Sequence, residues 1–250
     1  MMKKNKLLTI LLCSAVLLAA CDKSLDSSGN AGAGGSTARM AIYGNYLYVV
    51  NNSELETYDI TNPSQTVLLN SQNVGWNIET IFPYRDKLFI GSQTGMFIFD
   101  NSNPKKPVLQ GQAQHLRACD PVVADDDYAY VTLRSNNNGC GGTLNQLNIY
   151  NITGNAILSP QLTSTLIMPE PNGVGIKDTV VYVCMGNIGM NIVNASDKQA
   201  PKIIKTLTDN ETYIDVIPWD DLLITYVTGG IILYDISNPA NPVKKSTIKN

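Results

Sequence analysis

Three carboxylates, Glu79, Asp120 and Asp215, each stand just ahead of an apolar, β-branched run. Arg39 and Asn172 hold the matching places in two further segments. Carboxylates converging on one mouth can bind a cation, or act as acid, base and orienter on a glycosidic bond. Trp76, His115, Arg117 and Tyr213 lie on the loops leading there, and Arg134 closes a neighbouring strand. A Trp76–Tyr213 pair would stack on a sugar ring. The plainer alternative is that strand starts need solvation, so they are polar. Neither Glu79, Asp120 nor Asp215 sits in a recognisable catalytic motif. The chain has no GxSxG, no HExxH and no phosphate-cradling glycine run. With one histidine, the soft ligands are too few for a structural zinc site, and no metal or cofactor is expected.

The chain has 250 residues, of which 44% are apolar, enough for one large domain with a core. The net charge of -3, with no basic stripe, argues against nucleic acid as a partner.

The first segment, MMKKNKLLTILLCSAVLLAAC, has a lysine-rich start and an apolar stretch, Leu7 to Leu18, that is short for a membrane span. This is the pattern of a secretory signal peptide over residues 1–20; a retained signal anchor is the alternative. Its end, Leu18-Ala19-Ala20-Cys21, resembles the lipobox of bacterial lipoproteins. The resemblance implies that Cys21 becomes the lipidated first residue, partnering the membrane through its acyl chains. Asp22 resembles the inner-membrane retention signal of enteric bacteria, but sorting rules differ between phyla. The expected place is the cell envelope, at the outer membrane or cell surface rather than the inner membrane. Residues 22–38, rich in Gly, Ser, Ala and Asn, read as a flexible tether with a reach on the order of 20 Å.

An internal repeat organises the remainder. YLYVVNNSELETYDITNPSQ (46–65), KLFIGSQTGMFIFDNSNPKKP (87–107) and LLITYVTGGIILYDISNPANP (222–242) share two apolar runs followed by Asp-x-Ser/Thr-Asn-Pro. Weaker copies place Asn151 and Asn194 where the others have Asp59, Asp100 and Asp235, at spacings of 41, 51, 43 and 41 residues. Such a period, with several short strands per unit and no helical periodicity, predicts an all-β, five-bladed β-propeller of four-stranded antiparallel blades. It spans residues 39–250, with blades at about 39–75, 76–117, 118–170, 171–212 and 213–250. In blade two the strands are read as IETIFPY, KLFIGS, GMFIFD and VLQGQA. The recurring Asp or Asn is a turn device, accepting a backbone N–H two residues on, while Pro ends the strand. No terminal strand swap is visible, so closure must come from packing between blades one and five; a truncated larger propeller is the alternative.

MFIFDNSNPKKP and ILYDISNPANP resemble the LVIVD-repeat family of bacterial and archaeal surface proteins. The resemblance covers the whole of residues 39–250. It implies an exported, often lipid-anchored propeller and no particular reaction.

Blade three departs from its siblings. Val131 to Asn151 is 20 residues, where the same interval is 10 in units one and two. The excess falls in the loop RSNNNGCGG (134–142) and its continuation. In an antiparallel meander the start of the first strand and the end of the second share one edge. Cys119 and Cys140 are therefore brought to one face, and in an oxidising compartment they are expected to form a disulfide. Cys184, mid-strand in VVYVCMG, is expected as a buried thiol. The favoured function is a non-catalytic binding or interaction scaffold that meets an unknown protein or glycan through the face carrying this loop. The alternative is a carbohydrate-active or other hydrolytic enzyme using Glu79, Asp120 and Asp215.

Overall fold

A computed structural model of the chain describes residues 35–118, 121–135 and 142–249. They form five four-stranded antiparallel sheets, each a plain meander. Blade one holds β1 (Met40–Tyr43), β2 (Tyr46–Val50), β3 (Glu54–Asp59) and β4 (Val67–Asn73). Blade two holds β5 (Ile78–Tyr84), β6 (Lys87–Ser92), β7 (Gly95–Asp100) and β8 (Val108–Gln114). Blade three holds β9 (Val122–Ala124), β10 (Tyr128–Leu133), β11 (Gln146–Asn151) and β12 (Gln161–Ile167). Blade four holds β13 (Val174–Lys177), β14 (Val180–Cys184), β15 (Met190–Asn194) and β16 (Lys202–Leu207). Blade five holds β17 (Tyr213–Trp219), β18 (Leu222–Val227), β19 (Gly230–Asp235) and β20 (Val243–Lys249). The protein is a five-bladed β-propeller, as its period of about 41 residues implies.

The repeated turn forms as its residue types require. The Oδ1 atoms of Asp59, Asp100, Asn151, Asn194 and Asp235 accept the backbone N–H of Thr61, Ser102, Thr153, Ser196 and Ser237 at 2.8–2.9 Å. Asn and Asp serve equally, because both offer a carbonyl-type oxygen at the same reach. Blade three adds a 3₁₀ helix, Gly154–Leu158, between β11 and β12.

The core is a set of inter-blade layers. Tyr48, Val50 and Leu55 of blade one pack on Ile81, Leu88 and Ile90 of blade two. Phe89 and Ile98 then meet Val122 and Val131, Val123 and Tyr130 meet Val174 and Val181, and Tyr182 and Ile192 meet Val216 and Leu223. A phenol ties two of these joints to the next blade's turn. Tyr48 Oη lies 2.9 Å from the Pro104 carbonyl, and Tyr182 Oη lies 2.9 Å from that of Pro239.

Middle blades are buried on both faces, so Leu88–Ser92, Ala129–Leu133 and Val180–Cys184 are buried without a break. In β2 and β18 burial alternates instead. Among the described residues, no buried cluster joins blade five to blade one. Between them the described residues show a clasp. Residues 35–38, assigned from sequence to the tether, are seated in the fold: Ser36 is 1% exposed. They touch Asp215 of blade five and Val174 of blade four, and the Ala38 carbonyl accepts Ile81 N of blade two at 2.8 Å.

Candidate binding cleft

Asp215 lies near the start of β17, beside a bulge at Ile214 that pairs Tyr213 with Val227 and Asp215 with Tyr226. Its side chain is buried and its acceptor sites are filled. Oδ1 accepts Ser36 Oγ at 3.0 Å and Val216 N at 2.9 Å. Oδ2 accepts Thr37 N at 3.1 Å and Thr37 Oγ1 at 2.7 Å. Ser36 Oγ in turn accepts Val174 N at 2.7 Å. This approach requires Gly173, where a Cβ would stand 2.5 Å from Asp215 Cα. Asp215 is therefore the anchor of the clasp and not an open carboxylate at the mouth.

Glu79 belongs to a separate network. It is the bulged residue of β5, where Ile78 pairs with Ser92 and Thr80 with Gly91. Strand pairing thus aligns Thr80, not Glu79, with Asp215. Glu79 Oε1 accepts Gln93 Nε2 at 2.9 Å, and Gln93 Oε1 accepts Arg117 Nε at 3.1 Å and Asn77 Nδ2 at 3.2 Å. Asn172 holds blades three and four together through its main chain: its carbonyl accepts Thr132 Oγ1 at 2.6 Å.

A Trp76–Tyr213 stacking pair, which would have favoured a sugar ligand, does not form. Trp76 is 82% exposed, whereas Tyr213 is fully buried with its hydroxyl against Asp209 (3.0 Å) and Tyr234 Oη (2.8 Å). Arg39 contributes its carbonyl to Val50 N at 2.9 Å. Among the described residues the buried Nε of Arg134 has no hydrogen-bond partner. Cys184 is a buried free thiol, pushed well up by that burial. Cys21, Cys119, Asp120 and Cys140 lie outside the described residues, so the disulfide and lipidation expectations do too. The chain flanking the two loop cysteines does meet. A Cβ on Gly142 would fall 1.8 Å from the Arg117 carbonyl oxygen, so the two backbones touch.

Beside that contact is a cleft of about 610 Å³ between blades two and three. Both blade-three elaborations build it: Leu144 comes from the long loop and Leu158 from the 3₁₀ helix. The helix sits hard on β8, where a Cβ on Gly111 would be 1.9 Å from the Ile157 carbonyl oxygen. Gln112 and Gln114 of β8 line one wall; Gln146, Asn148 and Tyr150 of β11 line the other. Gln146 Nε2 donates to Asn148 Oδ1 at 2.8 Å, and Asn148 Nδ2 donates to Tyr150 Oη at 3.1 Å. Thr165 Oγ1 adds a second donor to Asn148 at 2.9 Å. His115 is at one end, its Nδ1 2.6 Å from the Leu116 carbonyl. The described lining holds amides, a phenol, an imidazole and leucines, and no carboxylate. Such a surface hydrogen-bonds neutral groups and covers apolar ones; among the described residues it presents no pair of carboxylates.

Of the cleft residues, sequence reasoning found only His115. The missed signal was period-two polarity on two facing strands: Gln110, Gln112 and Gln114 in the outer strand VLQGQAQ, and Gln146, Asn148 and Tyr150 in the largely buried QLNIYN. Ser36 and Thr37 were missed because an isolated Ser-Thr in a Gly-Ser-Ala stretch carries no periodicity.

The LVIVD repeat family matches residues 34–74 and 224–249, covering most of blade one and strands of blade five. No curated protein matches the chain. Among solved structures, a functionally unknown protein from Desulfotomaculum acetoxidans is similar with a TM-score of 0.63 at 12% identity, over 83% of this chain and 67% of that one. The computationally designed Ika8 protein gives 0.60 at 10% identity, over 84% and 62%. BamB from Moraxella catarrhalis gives 0.59 at 10% identity, over 78% and 55%. At these identities the likeness is one of fold. The chain spans less than two thirds of the length of the Ika8 and BamB chains.

Proposed function

We propose that this protein is a lipid-anchored β-propeller of the cell envelope that works as a non-catalytic binding scaffold. It takes an uncharged portion of a protein or glycan partner in the cleft between blades two and three. The carrying observation is that the one irregular blade spends both of its insertions on walling the one cleft described above. Loops elaborated on a rigid repeat scaffold are where binding residues gather. The uncharged, amide-lined walls favour recognition through hydrogen bonds to neutral groups. The hydrolytic alternative loses ground because Glu79 and Asp215 are held in separate networks. Membrane anchorage rests on the basic, apolar leader and Leu18-Ala19-Ala20-Cys21.

Envelope extract passed over the full-length chain, and over a Gln112→Ala, Gln114→Ala variant, tests the cleft. Both side chains are exposed, so the fold bears little cost. One component should be retained by the unaltered chain and lost from the variant. Equal recovery of every component by both would overturn the reading. Anchorage is tested by fatty-acid labelling, which Cys21→Ser should abolish.

A further inference from the structure

The chain enters the propeller at one edge of its blades. Ser36 and Thr37 bind Asp215 near the start of β17, and a Cβ on Gly35 would fall 2.1 Å from Asp215 Oδ2. In a four-stranded antiparallel meander the starts of first strands and the ends of fourth strands share an edge. The connections between consecutive blades therefore run along this same entry edge. Three large apolar side chains among the described residues are more than two-thirds exposed: Trp76 at 82%, Ile167 at 79% and Leu116 at 70%. All three stand on the entry edge. Trp76 lies between β4 and β5, Leu116 between β8 and β9, and Ile167 ends β12. They mark three successive blade connections and so form an arc. The fold does not demand apolar residues there, because Asn73, Gln114 and Lys249 take the place of Ile167 in blades one, two and five. Exposed Arg39 and Arg117 stand on the same edge, and Glu170 is the exposed carboxylate of the described blade connections. The opposite edge differs in kind. Its turns carry exposed Asp126, Asp127, Asp178, Asp220 and Asp221.

We propose that the entry edge lies on a lipid bilayer, with Trp76, Leu116 and Ile167 seated among its headgroups and outer acyl carbons. This rests on the anchorage at Cys21 proposed above. Reach decides the orientation. Residues 22–34 separate Cys21 from Gly35 and span at most about 50 Å fully extended, with an r.m.s. reach on the order of 20 Å. To set the opposite edge on the bilayer, that segment must cross a blade four strands wide, roughly 20 Å, and then run down its height, roughly 20 Å more. Such a path demands nearly full extension, which is entropically costly, whereas the entry edge meets the bilayer within the relaxed reach. Side-chain chemistry points the same way. An indole puts its ring against acyl carbons and its N–H among headgroups, and Leu and Ile add apolar area. Arg39 and Arg117 suit anionic headgroups, while the aspartates of the opposite edge are costly at a bilayer. The His115 end of the cleft, next to Leu116, then lies nearest the membrane.

The test uses the full-length chain, purified from membranes and reconstituted with vesicles of phosphatidylethanolamine and phosphatidylglycerol, with or without bromine on the acyl chains. The two tryptophans of the sequence stand at opposite edges, Trp76 at the entry edge and Trp219 at the far end of β17. Trp219→Phe leaves Trp76 as the reporter, and Trp76→Phe leaves Trp219. Bromolipid should quench Trp76 emission by roughly half and leave Trp219 emission nearly unchanged. Adding Leu116→Glu and Ile167→Glu should cut the quenching of Trp76 about threefold, with flotation of the chain on the vesicles unchanged. Floating chains whose Trp76 is unquenched, whether water or protein covers it, overturn the proposal and leave the anchorage reading standing. Equal quenching of both tryptophans, or quenching of Trp219 alone, overturns it too. Chains that do not float with the vesicles overturn the anchorage reading, and this proposal with it.

Discussion

Ser36 Oγ donates a 3.0 Å hydrogen bond to Asp215 Oδ1, joining residues 179 apart in sequence. With Thr37 N, Thr37 Oγ1 and Val216 N also on this carboxylate, one buried side chain ties the chain's entry to blade five. Truncating it leaves several donors without an acceptor, a cost of about 3 kcal/mol. Asp215→Ala should lower unfolding free energy by that order in a urea titration, and Asp215→Asn, which keeps one acceptor oxygen, by less. Unchanged stability in both would remove the clasp from the account of closure.

The turn aspartates make stability depend on acid. The Thr61 hydroxyl and N–H hold Asp59 below the usual carboxylate range; the Ser102 N–H does so for Asp100, and the Ser237 N–H for Asp235. A carboxyl depressed in the folded state contributes stability above its unfolded value, about 3.9, and loses it as pH falls further. Replacing all three by Asn should leave stability near neutral pH almost unchanged, because Asn151 and Asn194 already make the same bond. The decline between about pH 5 and pH 2 should become shallower. Thermal melts across that range are the measurement.

Tyr48 responds at the other end of the scale. Burial pushes its phenol up to about 12, against a smaller lowering by the Asn101 side chain. A group raised in the folded state stabilises below its unfolded value, about 10, and that stability is lost as pH rises through the folded value. Tyr48→Phe should cost about 1 kcal/mol at neutral pH, from the lost bonds to Asn101 and Pro104. It should also flatten the alkaline arm of the stability curve.

Thiol counting tests the loop cysteines. With Cys21 acylated and Cys119 bonded to Cys140, the denatured exported chain should show one reactive thiol, Cys184, and three after reduction. Three thiols before reduction would dissolve the disulfide reading and leave Gly142 resting on Arg117 without a covalent pin.

Blade two was legible almost to the residue. KLFIGS and GMFIFD are β6 and β7 as read, because both faces are buried and the Asp-Asn-Pro turn punctuates them. The five turn residues were legible for the same reason, as local chemistry repeated. What depended on register was not. In the observed pairing Glu79 is equivalent to Ile214, each at a bulge, and Thr80 to Asp215, so Glu79 and Asp215 do not take matching places at the mouth as the sequence offsets implied. The 3₁₀ helix escaped because five residues carry no period. The half-burial of Leu47, Val49 and Ile224 escaped for a different reason: they are as apolar as their buried counterparts in the other blades, and residue type does not say how closely a neighbour packs.

The Ser36–Asp215 bond also has a place in time. Closing a loop of that span costs conformational entropy before any contact repays it, and non-local pairings of this kind form late. Each blade is a local meander that can condense as soon as its own residues are available. The joint at Asp215 has to wait for blade five, leaving Ser36 and Thr37 unsatisfied through most of synthesis. Chaperones and proteases therefore meet finished blades whose Ser36–Thr37 segment is still loose, and its capture by Asp215 comes after blade five has formed.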